Sequence, residues 1–114
     1  MDKQHQGNVW VPHAEIEAEQ TAPGVQRRVL AYGKDAMCVE NIFETGGVGA
    51  MHSHPHTQVT YIVSGRFQFT IGDEVREVGP GDTLLKENGI AHGCVCLEGG
   101  IILDFFSPMR EDFV

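Results

Sequence analysis

Three histidines and a glutamine fall within the seven residues His52-Ser53-His54-Pro55-His56-Thr57-Gln58, and another histidine, His92, lies 34 residues beyond Gln58. Neutral imidazole nitrogens and an amide oxygen suit a divalent cation. His52 and His54 stand two apart, so on an extended chain they share a face, and Gln58 has the same parity four residues later. His92 would reach the same point from a neighbouring strand. Three imidazoles and one amide leave coordination positions open for water or substrate, as a catalytic centre requires. His52, His54, Gln58 and His92 are thus the candidate metal ligands, and the donor set accepts zinc, nickel, manganese or iron. His56 follows Pro55, which bends the chain, and is expected to point away from the ion. His5 and His13 read as surface or core filler.

The second unusual stretch is Ile101-Ile102-Leu103-Asp104-Phe105-Phe106-Ser107-Pro108-Met109-Arg110-Glu111-Asp112-Phe113. Asp104 interrupts an apolar run that reads as a buried strand. Burying a carboxylate is costly unless it is paired or working, and burial tends to bring carboxyl groups into the range of general acid–base catalysis. By parity Ile102, Asp104 and Phe106 share one face, while Ile101, Leu103 and Phe105 take the other. This run alone leaves open which face looks inward. Arg110, past the Ser107-Pro108 stop, suits a carboxylate through paired N–H bonds. Two readings stand side by side: Asp104 and Arg110 work at the metal's cavity, or they form an ion pair that fastens the tail.

Elements that could position these residues are short and punctuated. Residues 1–24 are polar, with Pro12, Pro23 and Gly24, and read as an arm holding one short strand at Val9–Val11 and at most a helical turn at Glu15–Gln20. From Val25 the candidate strands are 25–31, 37–43, 59–63, 67–71, 74–78, 82–86, 94–97 and 101–106, separated by turns such as Gly46-Gly47-Val48-Gly49, Gly79-Pro80-Gly81 and Asn88-Gly89. Phe67, Phe69 and Ile71 alternate with Gln68 and Thr70, and no run has sustained helical periodicity. The expectation is an all-β sandwich or barrel over 25–114.

At 114 residues the chain has room for one core. Its net charge of -8 removes any gain from counterion release, which argues against nucleic acid as a partner. No apolar run approaches the ~20 residues of a membrane span. Three cysteines, Cys38, Cys94 and Cys96, with no signal peptide, argue against a disulfide framework and for a reducing cytoplasm. Cys94 and Cys96 share a strand face and read as small buried hydrophobes more readily than as metal ligands. A homodimer is expected, paired through sheet edges, with the arm around Trp10 as an exchanged strand.

Gly46 through Gly65 resembles the first cupin motif, and Gly81 through His92 the second, with its glycine–aspartate turn and late histidine. The resemblance implies a double-stranded β-helix, a jelly-roll barrel with the metal inside one open end. Gln58 departs from the usual glutamate, and Asn88-Gly89-Ile90 lacks the usual proline. A carboxylate ligand would neutralise half of a dication's charge, whereas an amide leaves it whole. The centre then becomes a stronger Lewis acid and a poorer host for high-valent oxidation states. The combination of His-Ser-His-Pro-His-Thr-Gln with Asp104-Phe105-Phe106-Ser107-Pro108-Met109-Arg110-Glu111-Asp112-Phe113 resembles the pectin-degradation protein KdgF family of small cupins. That resemblance implies His52, His54, Gln58 and His92 as ligands and Asp104, Phe106 and Arg110 as catalytic residues. It also implies an activity: opening of 4,5-unsaturated monouronates, small acidic sugars from pectin or alginate, to linear keto sugars. The competing expectations are another cupin enzyme, such as a dioxygenase or isomerase, and a non-catalytic sugar- or metal-binding sensor.

Overall fold

The structure is a computed structural model and describes residues 5–114. Ten strands follow in order: β1 (Glu19–Ala22), β2 (Val25–Gly33), β3 (Ala36–Phe43), β4 (Val48–His52), β5 (Thr57–Ile62), β6 (Arg66–Ile71), β7 (Glu74–Val78), β8 (Thr83–Lys86), β9 (His92–Glu98) and β10 (Gly100–Ser107). They form a six-stranded sheet in the order β1-β2-β3-β10-β5-β8 and a four-stranded sheet in the order β4-β9-β6-β7. All pairings are antiparallel. The two sheets face each other as a jelly roll, so each strand alternates between lumen and solvent.

Alternation decides which side chains fill the lumen. On β5, Gln58, Thr60 and Ile62 are buried while Thr57, Val59 and Tyr61 are exposed. On β10, Ile102, Asp104 and Phe106 point inward, which answers the parity question for Asp104. One end of the lumen holds Val25, Phe43, Ile62, Phe67, Phe69, Cys94, Cys96 and Ile102, with the Phe43 and Phe67 rings edge to face at 5.2 Å. Phe67 is fully buried, which contributes about 1.5–3 kcal/mol relative to exposure. A second cluster, Tyr32, Met37, Val39, Phe106 and Met109, closes the structure beside the C-terminal segment.

The N-terminal stretch differs from expectation in three places. Val9–Val11 is not a strand: Val9 and Trp10 are more than four-fifths exposed, and Pro12 has no N–H to pair. The helical turn expected at Glu15–Gln20 is a single 3-10 turn at His13–Glu15, followed by β1, whose register is set by β2 (Glu19 opposite Arg27). Finally, Val48 and Gly49, expected in a turn, begin β4. Glycine there serves close approach: a Cβ on Gly93 of β9 would sit 2.8 Å from the Gly49 carbonyl oxygen. The register of β4 on β9 shifts between Gly49 and His52, bringing His52 directly opposite His92.

Candidate metal centre and cavity

Both sheets contribute to one site. β4 and β9 bring His52 and His92 side by side, the connection after β4 carries His54, and β5 in the opposite sheet supplies Gln58. A nitrogen from each of His52, His54 and His92 lies within 4.8 Å of the others, so the three could hold a metal ion. The Nδ1–H of His52 donates to the Ala50 carbonyl at 2.7 Å, and that of His92 to the Ile90 carbonyl at 3.0 Å. These bonds orient both rings and leave each Nε2 as a lone-pair donor. His92 Nε2 and His54 Nδ1 are buried without hydrogen-bond partners, a cost that a bound cation would relieve for a ligating nitrogen. His54 Nε2 approaches Gln58 Oε1 at 2.9 Å. That matches one edge, about 3 Å, of a coordination shell with bonds of about 2.1 Å. The donor set therefore fits a divalent metal.

Electrostatics keep the cluster ready for a cation. Burial pushes the His92 pKa down to about 4, helped by Lys86, His52 and His54. His54 is lowered as well, chiefly by burial, with Arg110, His52 and His56 adding to the effect. Both are neutral near pH 7, the form that binds metal. Burial also raises the Cys94 thiol to about 11. Cys94 and Cys96 are buried free thiols in the apolar core.

The cluster opens on a cavity of about 390 Å³, lined among others by Arg27, Gln58, Lys86, Asp104, Phe106 and Arg110. Asp104 is 4% exposed, and its oxygens are occupied: Oδ2 accepts from Asn41 Nδ2 at 2.7 Å, and Oδ1 from Gln58 Nε2 at 2.7 Å and from the Thr60 hydroxyl. The alternative of an Asp104–Arg110 ion pair is not realised. Arg110 instead grips Asp112, with Nε to Oδ1 at 3.0 Å and Nη2 to Oδ2 at 2.7 Å, and its guanidinium lies 4.4 Å from the Phe113 ring centre. Asp112 stands two residues beyond Arg110, so the chain itself keeps it within reach of the guanidinium. Phe106 sits between the His54 and Phe113 rings, at 5.7 and 5.6 Å. His56 does not join the cluster through Nε2, which donates to the Met109 carbonyl at 3.2 Å.

Sequence reasoning passed over four polar residues here: Arg27, Asn41 and Lys86, which line the cavity, and Thr60, which donates to Asp104. Their signal was available in parity. Thr60 shares the parity of Gln58 and Ile62, Asn41 that of Val39 and Phe43, Lys86 that of Leu84, and Arg27 that of Val25, so each occupies an inward position of its strand.

The cupin domain model matches residues 40–105, more than half of the chain, so the chain belongs to the cupin family. Within that family it groups with KdgF. The pectin degradation protein KdgF of Dickeya dadantii is 35% identical over 98 residues, 84% of this chain and 89% of that protein. The structure of KdgF from Halomonas sp. has a TM-score of 0.88 at 34% identity, covering 92% of this chain and 97% of that one. An RmlC-like cupin from Shewanella frigidimarina gives a TM-score of 0.92 at 34% identity, with 96% and 99% covered. Among the described residues, no helix is long and apolar enough to cross a membrane.

Proposed function

We propose that this chain opens the ring of 4,5-unsaturated monouronates, derived from pectin or alginate, to give linear keto sugars. The observation that carries the reading is the convergence of the histidine–glutamine cluster, a buried carboxylate and Arg110 on one cavity, in a chain similar to KdgF. His52, His54, Gln58 and His92 would hold a divalent ion (zinc, nickel, manganese or iron), which when bound supplies Lewis acidity towards a substrate oxygen or water.

The substrate is a cyclic enol ether with a carboxylate on C5. Ring opening adds a proton at C4 and the oxygen of water at C5. The resulting hemiketal then collapses: the C5–ring-oxygen bond breaks, C5 becomes a ketone and the ring oxygen leaves with a proton. C1, left with two hydroxyls, loses one as water to become an aldehyde, so the water is returned and the net change is an isomerisation. Asp104 holds and moves the proton through its Oδ atoms. Arg110, with Asp112 on one edge, turns its remaining N–H groups to the substrate carboxylate. Phe106 gives the sugar ring an apolar wall. Catalytic roles thus fall to Asp104, Phe106 and Arg110, in a site whose cations Arg27 and Arg110 counter the overall charge of -8 locally and favour an acidic sugar.

We place the protein in the cytoplasm, where its three free thiols stay reduced. It is read as a homodimer. Cys38, Phe105, Val59 and Leu85 align across the outer face of the six-stranded sheet, with Phe105, Val59 and Leu85 exposed. Neighbouring Tyr61 extends the apolar surface, and the arm's Trp10 is exposed as well.

The deciding experiment incubates metal-loaded protein with unsaturated galacturonate and mannuronate-derived monomers, following the alkene's ultraviolet absorbance and NMR signals. Loss of absorbance without oxygen uptake is the expected result. Oxygen consumption would instead make the protein a dioxygenase, and bound but unchanged sugar would make it a sensor.

A further inference from the structure

Lys86 is 2% exposed, and the chemistry above makes no use of it. On β8 it stands opposite Gln58 of β5. Its ammonium donates to Thr60 Oγ1 at 2.9 Å and lies 4.6 Å from the Phe69 ring centre. Lysine has donors and no acceptor, so the Thr60 oxygen must accept from it. The single proton of Thr60 then goes to Asp104 Oδ1. The same oxygen accepts from Gln58 Nε2 at 2.7 Å, whereas Gln58 Nε2 remains 3.4 Å from Thr60 Oγ1. With the Thr60 proton on Asp104 Oδ1, no donor faces the Gln58 oxygen from that side, and the amide has one good orientation: nitrogen to Asp104 and, at 3.4 Å, to the second lone pair of Thr60, oxygen to His54. A flipped amide would face the histidines with N–H groups, which carry no lone pair for a cation.

We propose that Lys86 is a positioning residue: by steering the Thr60 hydroxyl onto Asp104, it fixes Gln58 with its carbonyl oxygen towards His52, His54 and His92. Without Lys86 the Thr60 hydroxyl is free to turn its proton to Gln58, which gives the oxygen of a flipped amide a donor on that side. The consequence for metal affinity rests on the ligand assignment above, whereas the amide's orientation belongs to the metal-free protein itself.

The test compares Lys86→Met, Thr60→Val, Thr60→Ser and the Lys86→Met/Thr60→Val double variant with the wild type. In the metal-free protein, the Gln58 side-chain amide signals in ¹⁵N NMR should shift in Lys86→Met and Thr60→Val and stay in place in Thr60→Ser. Calorimetric titration with nickel or zinc should show affinity weakened by about 10–100-fold in the first two variants, the usual range for losing a residue that orients a ligand. Turnover number should fall while KM moves less than about threefold, because substrate binding is not what is lost. The double variant should be no worse than either single one, since all act through one chain of hydrogen bonds. If Lys86→Met does not fold, Thr60→Val carries the test alone. Unmoved Gln58 signals, additive losses, or a rise in KM alone would each overturn the proposal. A wild type that takes up no metal would overturn the ligand assignment instead, with the amide signals still deciding the role of Lys86.

Discussion

Replacing Gln58 by glutamate probes the charge balance of the site with almost no change in shape. Gln58 Nε2 lies 2.7 Å from Asp104 Oδ1, and both residues are 4% exposed. The variant therefore sets two carboxylates against each other in a buried place. At that 2.7 Å separation two unit charges repel by about 6 kcal/mol for an effective dielectric of about 20. Folding avoids this by binding one proton, which costs about 1.4 kcal/mol for each pH unit above the ordinary glutamate value of about 4.3. The penalty is thus capped near ~4 kcal/mol at about pH 7.5 and near ~1 kcal/mol at about pH 5. Its sign follows from proton counting: the folded variant holds a proton that the unfolded chain releases, so its stability falls as pH rises. A protonated glutamate would still donate to Asp104 and accept from His54, so acid restores the native bonding. Thermal unfolding of metal-free protein should show a deficit of about 4 °C at the lower pH and about 15 °C at the higher. Divalent metal should recover much of the loss, because a carboxylate ligand binds the cation more strongly than an amide. A deficit equal at the two pH values, or none, would refute the pairing of Gln58 with Asp104.

Asp104→Ala should abolish turnover even at saturating metal, read from the alkene absorbance; turnover at the wild-type rate would remove Asp104 from proton transfer. Arg110→Gln should raise KM by about 10–100-fold, the worth of one or two charge-assisted hydrogen bonds of about 1.5–3 kcal/mol, and an unchanged KM would place the substrate carboxylate elsewhere. The metal-free protein should also lose stability in acid. His92 titrates at about 4 when folded but near ~6.5 when unfolded. Stability from this group is complete above about 6.5 and is lost as pH falls towards 4, by up to about 3 kcal/mol. His92→Asn should flatten that slope in melting curves, and an equal slope in both proteins would clear His92 of the effect.

Local rules carried the sequence reading some way. Strand alternation is a property of the backbone, so Ile102, Asp104 and Phe106 could be grouped on one face from parity before any pairing was known, whereas His52 and Gln58 stand on strands of opposite sheets and meet only through the fold. Turn chemistry located most of the strands for the same reason, and erred where glycine served close packing of β4 on β9 instead of a turn. Composition gave its expectation against nucleic acid in the same way, because net charge requires no fold to be counted.

Tertiary structure decided what parity cannot: which partner each polar group finds across strands distant in sequence. Arg110 paired with Asp112 and left Asp104 to Asn41, Thr60 and Gln58, residues drawn from β3 and β5. Lys86 looks like an ordinary strand-end lysine in the sequence, and only the pairing of β8 with β5 buries it against Thr60. A hydrogen bond's direction depends on both partners, and here the sheets choose the partners. The residue types for a metal site are written in the chain, while the orientation that would let Gln58 serve it is set by the packed barrel.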